Sequence, residues 1–143
     1  MSTPQAFTLS IRVQEGDIDR QGHVNNVAFL RYVQEAAVEH WASVAPAELQ
    51  KAYTWVVRRH EIEYFRPGLP NDELVVKTWV GEPSGATWER FTEIHRRGED
   101  RPLITARTVW VLLDVATGRP RRVDASFVAC FHAGTQSAPN SQS

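Results

Sequence analysis

Phe7, Leu9, Ile11 and Val13 alternate with Thr8, Ser10, Arg12 and Gln14. This period of two predicts a half-buried strand over residues 6–14. The next stretch, EGDIDRQGHV (15–24), follows neither period and carries Gly16 and Gly22, so it reads as a loop. Val27, Leu30, Val33, Ala37, Trp41 and Val44 then recur at steps of three and four, which predicts an amphipathic helix with Asn25 or Asn26 as its cap and Trp41 in the core. Pro46 either ends that helix or opens a short second one through Gln50. From Tyr53 the period returns to two in YTWVVRRHEIEYF, ELVVKTWVGE, TWERFTEIHRR and LITARTVWVLLD, with RPGLPND, PSGA and RGEDRP as turns. Four consecutive strands with short connections predict an antiparallel meander. ATGRPRR reads as another turn, DASFVACFHA as a short helix or irregular cap, and GTQSAPNSQS as a disordered tail.

Burial of the helix stripe then sets the architecture. Only a curved antiparallel sheet of about five strands offers enough surface to cover one long helix, so the expected class is α+β, with a single domain over 1–133 and a tail over 134–143. Trp79, Trp88, Trp110 and Tyr64 supply more aromatic surface than one helix covers, which predicts pairing of subunits through strands or through the second face of the sheet.

Composition narrows the functional classes. A chain of 143 residues with 42% hydrophobic and 23% charged positions is one ordinary globular domain, neither disordered nor a disulfide scaffold. Its formal net charge of −1 provides no global positive field for nucleic acid or an anionic membrane. No apolar run reaches the roughly 18–20 residues needed to cross a bilayer. The lone cysteine, Cys130, forms no intrachain disulfide, and the start MSTPQ lacks the regions of a secretory leader, so the reducing cytoplasm is the expected compartment. Lys51 and Lys77 are the only lysines among 16 basic residues. Two readings of that bias stand: genomic base composition, or guanidinium forks that hold phosphate or carboxylate.

The loop holds the densest chemistry: Asp17, Asp19, Gln21, His23, Asn25 and Asn26. Two carboxylates and an imidazole just before a helix N-terminus form an acid/base set beside free backbone N–H donors. The competing reading needs no catalysis: Asp17 closes an Asx-turn, the asparagines cap the helix and His23 is solvated. Cys130 and His132 lack an orienting acid. His40, His60 and His95 show no metal-ligand spacing, and no glycine-rich phosphate loop is present, so neither metal nor cofactor is expected. Glu61 and Glu63 share one face of a strand.

The run RVQEGDIDRQGHVNNVAFLRYVQEA resembles the first motif of the hotdog-fold thioesterases, in particular the 4-hydroxybenzoyl-CoA thioesterase and YbgC-like acyl-CoA thioesterase group. Its HVNN is also similar to that of plant acyl-ACP thioesterases. A second run, VVRRHEIEYFRPGLPNDELVVKTWV, resembles the family's pattern through Tyr64, Pro67, Asp72 and Leu74, and the likeness extends over about 7–133. It implies a hotdog fold, a long helix wrapped by an antiparallel sheet, assembled as a homodimer or a dimer of dimers with active sites at the subunit interface.

The resemblance makes Asp19 the key acid and Asp17 a loop-shaping residue. Gln21 and His23 fall where the acyl-ACP branch has a functional Asn and His; in the acyl-CoA branch the His position is usually apolar. The family's oxyanion donor falls on the backbone N–H of Asn26. Gln34 stands where the acyl-CoA branch has a helical acid, with Glu35 adjacent. The implied activity is hydrolysis of an acyl-CoA, with acyl carrier protein as another possible thioester donor and no nucleic-acid or membrane partner. Substrate contacts are expected from Asn25, Glu35, Arg58, Arg59, Arg96 and Arg97, with Arg101 and the Arg119, Arg121, Arg122 group as further cations. SGA occupies the place of a basic triplet found in bacterial 4-hydroxybenzoyl-CoA thioesterase. Two other readings remain: a hotdog hydratase or dehydratase, though the D-x-N-P-x-H motif is absent, and a non-catalytic acyl-thioester binder.

Overall fold

The computed structural model describes residues 6–132. The expected tail at 134–143 and the end of the domain at 133 lie outside them. Strand β1 (Phe7–Arg12) is followed by a 3₁₀ turn (Glu15–Asp17) and by helix α1 (Asn26–Val44). Helix α2 (Ala47–Ala52) leads into strands β2 (Tyr53–Tyr64), β3 (Glu73–Ser84), β4 (Thr87–Arg96) and β5 (Pro102–Asp114), and helix α3 (Ala125–His132) ends the described chain. The α+β class and the long helix against a five-stranded antiparallel sheet are as expected. Among the described residues no helix is long and apolar enough to cross a membrane.

The meander of four consecutive strands is corrected. The order is β1-β3-β4-β5-β2, so β2 pairs with β5, from Tyr53↔Asp114 to Tyr64↔Ile104, while β1 occupies the place beside β3, from Phe7↔Thr78 to Arg12↔Glu73. The connection 65–72 makes this possible. Eight residues reach about 26 Å when extended, and the three strand spacings from β2 to β3 need only about 14 Å. The segment is fastened at both ends of that path: Phe65 N–H donates to Leu103 O at 2.8 Å, and Val13 N–H donates to Asp72 O at 2.9 Å. A turn signal marks where a strand ends, not which strand it pairs with.

The phase of α1 is also corrected. Its buried face is Ala28, Phe29, Tyr32, Val33, Ala36, Ala37 and His40, whereas Val27, expected inside, is 70% exposed. This rotation buries two large rings in place of Val27, and Ala36 and Ala37 let the helix approach the sheet closely. The core has two parts. Phe29, Tyr32 and Val33 pack on Leu74, Val76, Ile94 and Ile104, while Trp88, Leu112 and Val123 pack under Phe127 and Phe131 of α3. Trp88 is therefore interior rather than spare aromatic surface; Trp79 and Trp110 are half-buried and Tyr64 is exposed.

Candidate active site

The segment between β1 and α1 is held by its two aspartates in different ways. Asp17 is buried, and its carboxylate accepts from the Tyr32 hydroxyl at 2.6 Å and from Arg31 Nη2 at 2.6 Å. Burial alone would raise its pKa, but the hydrogen bonds from Tyr32 and Arg31 outweigh it and hold the carboxyl below the usual range. Burial and the neighbouring Asp17 push the Tyr32 hydroxyl upward. The Asp17 carbonyl also accepts from Asn25 N–H at 2.8 Å, so one residue pins the loop to the start of α1. This matches its expected loop-shaping role, with a correction: Asp17 does not close the Asx-turn.

Asp19 does. Its Oδ1 accepts from the backbone N–H of Gln21 at 2.9 Å and of His23 at 3.2 Å, while Asp19 N–H donates to His23 O at 2.8 Å. Gly22, at φ 80°, supplies the left-handed residue that closes this tight loop. Oδ2 of Asp19 has no partner among the described residues. Asn25 is the helix cap, with Oδ1 accepting from Val27 N–H at 2.8 Å. Asn26 is the first helical residue, and its N–H has no acceptor among the described residues, as expected at a helix start.

These features meet at one open cavity of about 420 Å³. Asp19, Gln21, His23, Asn25 and Asn26 line it together, and Phe29, Tyr64, Phe65 and Pro67 form the apolar wall. The Phe29 and Tyr64 ring centres lie 6.1 Å apart, so α1 and the end of β2 meet across the floor. Arg66 also lines it, and the sequence reading missed it. Its one signal was position, two residues after Tyr64 in the second motif. Its guanidinium is tied to Glu99 at 2.9 Å and to the Arg101 carbonyl.

The other expected contacts lie elsewhere. Glu35 is exposed and pairs with Arg31 at 3.5 Å, away from the cavity wall. Arg58 and Arg59 are exposed on β2, and Arg59 pairs with Glu61 at 3.1 Å. Arg96 binds Asp72 at 2.9 Å, Glu99 at 3.2 Å and the Pro67 carbonyl at 3.0 Å, which makes it the brace beneath the 65–72 connection. Arg97 reaches Ser10 Oγ at 2.7 Å. Arg121 stacks on Tyr53 and Phe127, and Arg119 and Arg122 are exposed. Burial raises the pKa of the Cys130 thiol, and its Sγ contacts Ser126 O at 3.4 Å. Among the described residues no group of His, Cys, Asp and Glu converges as metal ligands.

A carboxylate with one free oxygen, an imidazole-bearing turn and an unpaired N–H at a positive helix end form a set suited to attack on a carbonyl. Residues 13–131 match the family described as the thioesterase-like superfamily. The chain is 27% identical over 128 residues to the acyl-CoA thioester hydrolase YbgC of Escherichia coli O6:H1, a match covering 87% of this chain and 95% of that protein. A thioesterase of Thermus thermophilus, solved with coenzyme A and Zn, superimposes with a TM-score of 0.78 at 25% identity over 93% of this chain and 96% of its own. Slr0204, a 1,4-dihydroxy-2-naphthoyl-CoA thioesterase of Synechocystis, shares the fold with a TM-score of 0.78 at 18% identity, covering 92% of this chain and 98% of that one. Sequence match, fold and the motif around Asp19 agree, and this protein belongs to the thioesterase-like superfamily.

Proposed function

We propose that the protein hydrolyses an acyl-CoA thioester to a free acid and coenzyme A, with Asp19 as the reactive carboxylate and the start of α1 as the oxyanion site. One observation carries the reading: Asp19 and Asn26 line the same cavity, with one Asp19 oxygen and the Asn26 N–H unpartnered among the described residues. The activity named for the YbgC relative supports the choice of substrate.

The chemistry asks little of the protein. A bond forms from an oxygen nucleophile to the thioester carbonyl, the C–S bond breaks, and the thiolate leaves without strong protonation because it is a good leaving group. Asp19 either takes a proton from the attacking water or attacks first to give a mixed anhydride that water then opens. The Asn26 N–H and the helix dipole stabilise the developing oxyanion, and such a donor contributes on the order of 3–4 kcal/mol. The carboxamide of Gln21 holds the water, and His23 acts with Asp19 or positions it. Asn25 sets the donor's direction by capping the helix.

Asp19→Asn should lower kcat about a hundredfold or more while leaving the urea midpoint within experimental error; a variant near wild type in a thiol-release assay removes Asp19 from the role. His23→Ala keeps the backbone N–H that binds Asp19. A loss equal to that of Asp19→Asn makes the two a dyad, and a small loss makes His23 a positioning residue. Running each substrate as its CoA and as its acyl carrier protein thioester identifies the donor. A change in enoyl absorbance without thiol release indicates hydratase chemistry instead, and saturable binding without either indicates a binding protein. The open cavity and the outer edge of β2, unpaired among the described residues, support a homodimer whose partner closes the site, which light scattering reads as twice 16.2 kDa, or four times for a dimer of dimers. The unpaired Cys130 accords with the reducing, cytoplasmic setting expected from the sequence.

A further inference from the structure

A second cavity, of about 260 Å³, lies beside the far half of α1 and shares no lining residue with the first. Ala37 in its wall follows Asn26 by eleven residues, about 16 Å along the helix. Trp41, Trp55, Trp88, Trp110 and Phe131 surround it, brought there by α1, β2, β4, β5 and α3 respectively, and Arg90 completes the lining.

Arg90 is 5% exposed, on the inward face of β4 with Trp88, Thr92 and Ile94. Its Nη1 reaches His40 Nδ1 at 3.0 Å and donates to Thr78 Oγ1 at 3.0 Å. Guanidinium only donates, so Nδ1 of His40 accepts and the imidazole is neutral. Burial, helped by Arg90, pushes the pKa of His40 down to about 3. Burial brings Arg90 itself down to about 9, still charged at neutral pH. Arg90 has no ion pair among the described residues, and its guanidinium lies over the Phe131 ring, 5.7 Å from the ring centre. Glu89, the carboxylate among the lining residues, accepts from Arg107 Nε at 2.6 Å. The indole N–H groups of Trp55 and Trp110 are buried without an acceptor among the described residues. The cavity thus combines a buried cation that lacks a counter-charge among the described residues with flat aromatic walls and surplus indole donors, an arrangement that is costly until an anion fills it.

We propose that this cavity binds a small carboxylate carried on a flat apolar body, with the carboxylate paired to Arg90 and the body held among the tryptophans. A forked charge pair in a dry site is strong and directional, and aromatic walls select a planar ligand. The volume lies below the roughly 300–1,000 Å³ of pockets for drug-sized ligands, which limits the body to about one ring. Binding in this cavity does not require thioester hydrolysis at the first.

The test uses the full chain, with phenylacetate as the probe and phenylacetamide as its neutral counterpart of similar shape, read by calorimetry and by tryptophan fluorescence. Phenylacetate should bind saturably with a fluorescence change, and the amide about 10- to 100-fold more weakly. Arg90→Gln should weaken the acid by a similar factor with little effect on the amide, and Arg90→Lys should recover part of the loss. Trp110→Phe keeps the ring and removes a donor, so it should cost a few-fold. Asp19→Asn should bind the acid as wild type does. Equal affinity of wild type for acid and amide, no binding of phenylacetate at 10 mM, or loss of binding in Asp19→Asn each overturns the proposal. The comparison of acid with amide needs no variant, so it holds even where Arg90→Gln does not fold.

Discussion

Replacing Tyr32 by phenylalanine deletes one hydroxyl from the interior and takes from Asp17 a 2.6 Å hydrogen bond. Tyr32 is 1% and Asp17 7% exposed, so water does not readily substitute for the lost donor. Arg31 Nη2 stays at 2.6 Å and keeps the carboxylate paired, which places the loss at that of one charge-assisted hydrogen bond, about 1.5–3 kcal/mol. For a domain of this size that is a fall in Tm of roughly 3–12 °C. Urea unfolding at pH 7 measures it directly, through a lowered midpoint at constant slope. The pH dependence adds a second check. Asp17 has a folded pKa below its reference of 3.8, so its ionised form stabilises the fold above that value, and this contribution is lost as pH falls through the folded pKa. The gap between wild type and Tyr32→Phe should therefore shrink below about pH 4. A difference under about 0.5 kcal/mol at pH 7, or a gap that does not shrink in acid, refutes the view that this pair anchors the loop carrying Asp19.

His40 titrates in the opposite sense to a stabilising ion pair. It is neutral when folded, with a pKa of about 3 against 6.5 for an unperturbed imidazole, so the unfolded chain takes up a proton as pH falls between those values and stability falls with it, by up to about 1.4 kcal/mol per pH unit. Urea midpoints from pH 7.5 to 4.5 should show this decline, and His40→Asn, which offers Arg90 an amide oxygen without titrating, should flatten it; an unchanged slope rejects the assignment. Gly68 is a packing constraint on the site, since a Cβ there would stand 2.6 Å from Val24 Cγ2 and 3.1 Å from Phe29 Cζ. Gly68→Ala should cost about 1–3 kcal/mol, and adding Val24→Ala should restore part of it, both read as Tm; an unchanged Tm for the single variant shows that the loop yields.

The alternation of Phe7 to Val13 and of the four later segments placed every strand of the sheet, because each strand writes its own period of two into the chain. The partner of β2 was not legible. Pairing with β5 depends on residues 40–61 positions away, as in Tyr64↔Ile104 and Tyr53↔Asp114, and no local pattern records it. The helix stripe was misread because Val27 and Leu30 score as apolar while Tyr32 and His40 do not, yet Tyr32 and His40 are buried by virtue of Asp17 and Arg90. The loop of the candidate site was readable as chemistry, but the division of labour between its aspartates was not: both sit in D-x-D, and only the fold sends Asp17 to Tyr32 and leaves Asp19 to the cavity. Arg90 was visible in principle. It shares the parity of Trp88, Thr92 and Ile94 on β4, and an arginine in that register signals a buried charge.

The strand order also governs how the chain is made. The hairpins β3-β4 and β4-β5 join neighbours in sequence, but β2 leaves the ribosome 40–61 residues before the β5 positions it pairs with. At roughly 5–20 residues per second it spends about 2–12 s without its sheet. Its first half, Tyr53-Thr54-Trp55-Val56-Val57, is an apolar, strand-forming run of the kind that joins other exposed edges. Arg58 and Arg59 follow at once, and Glu61 and Glu63 keep the remainder charged on one face. Two arginines that line neither cavity thus stand where a charge interrupts an apolar run, the position at which charged residues oppose edge-to-edge association.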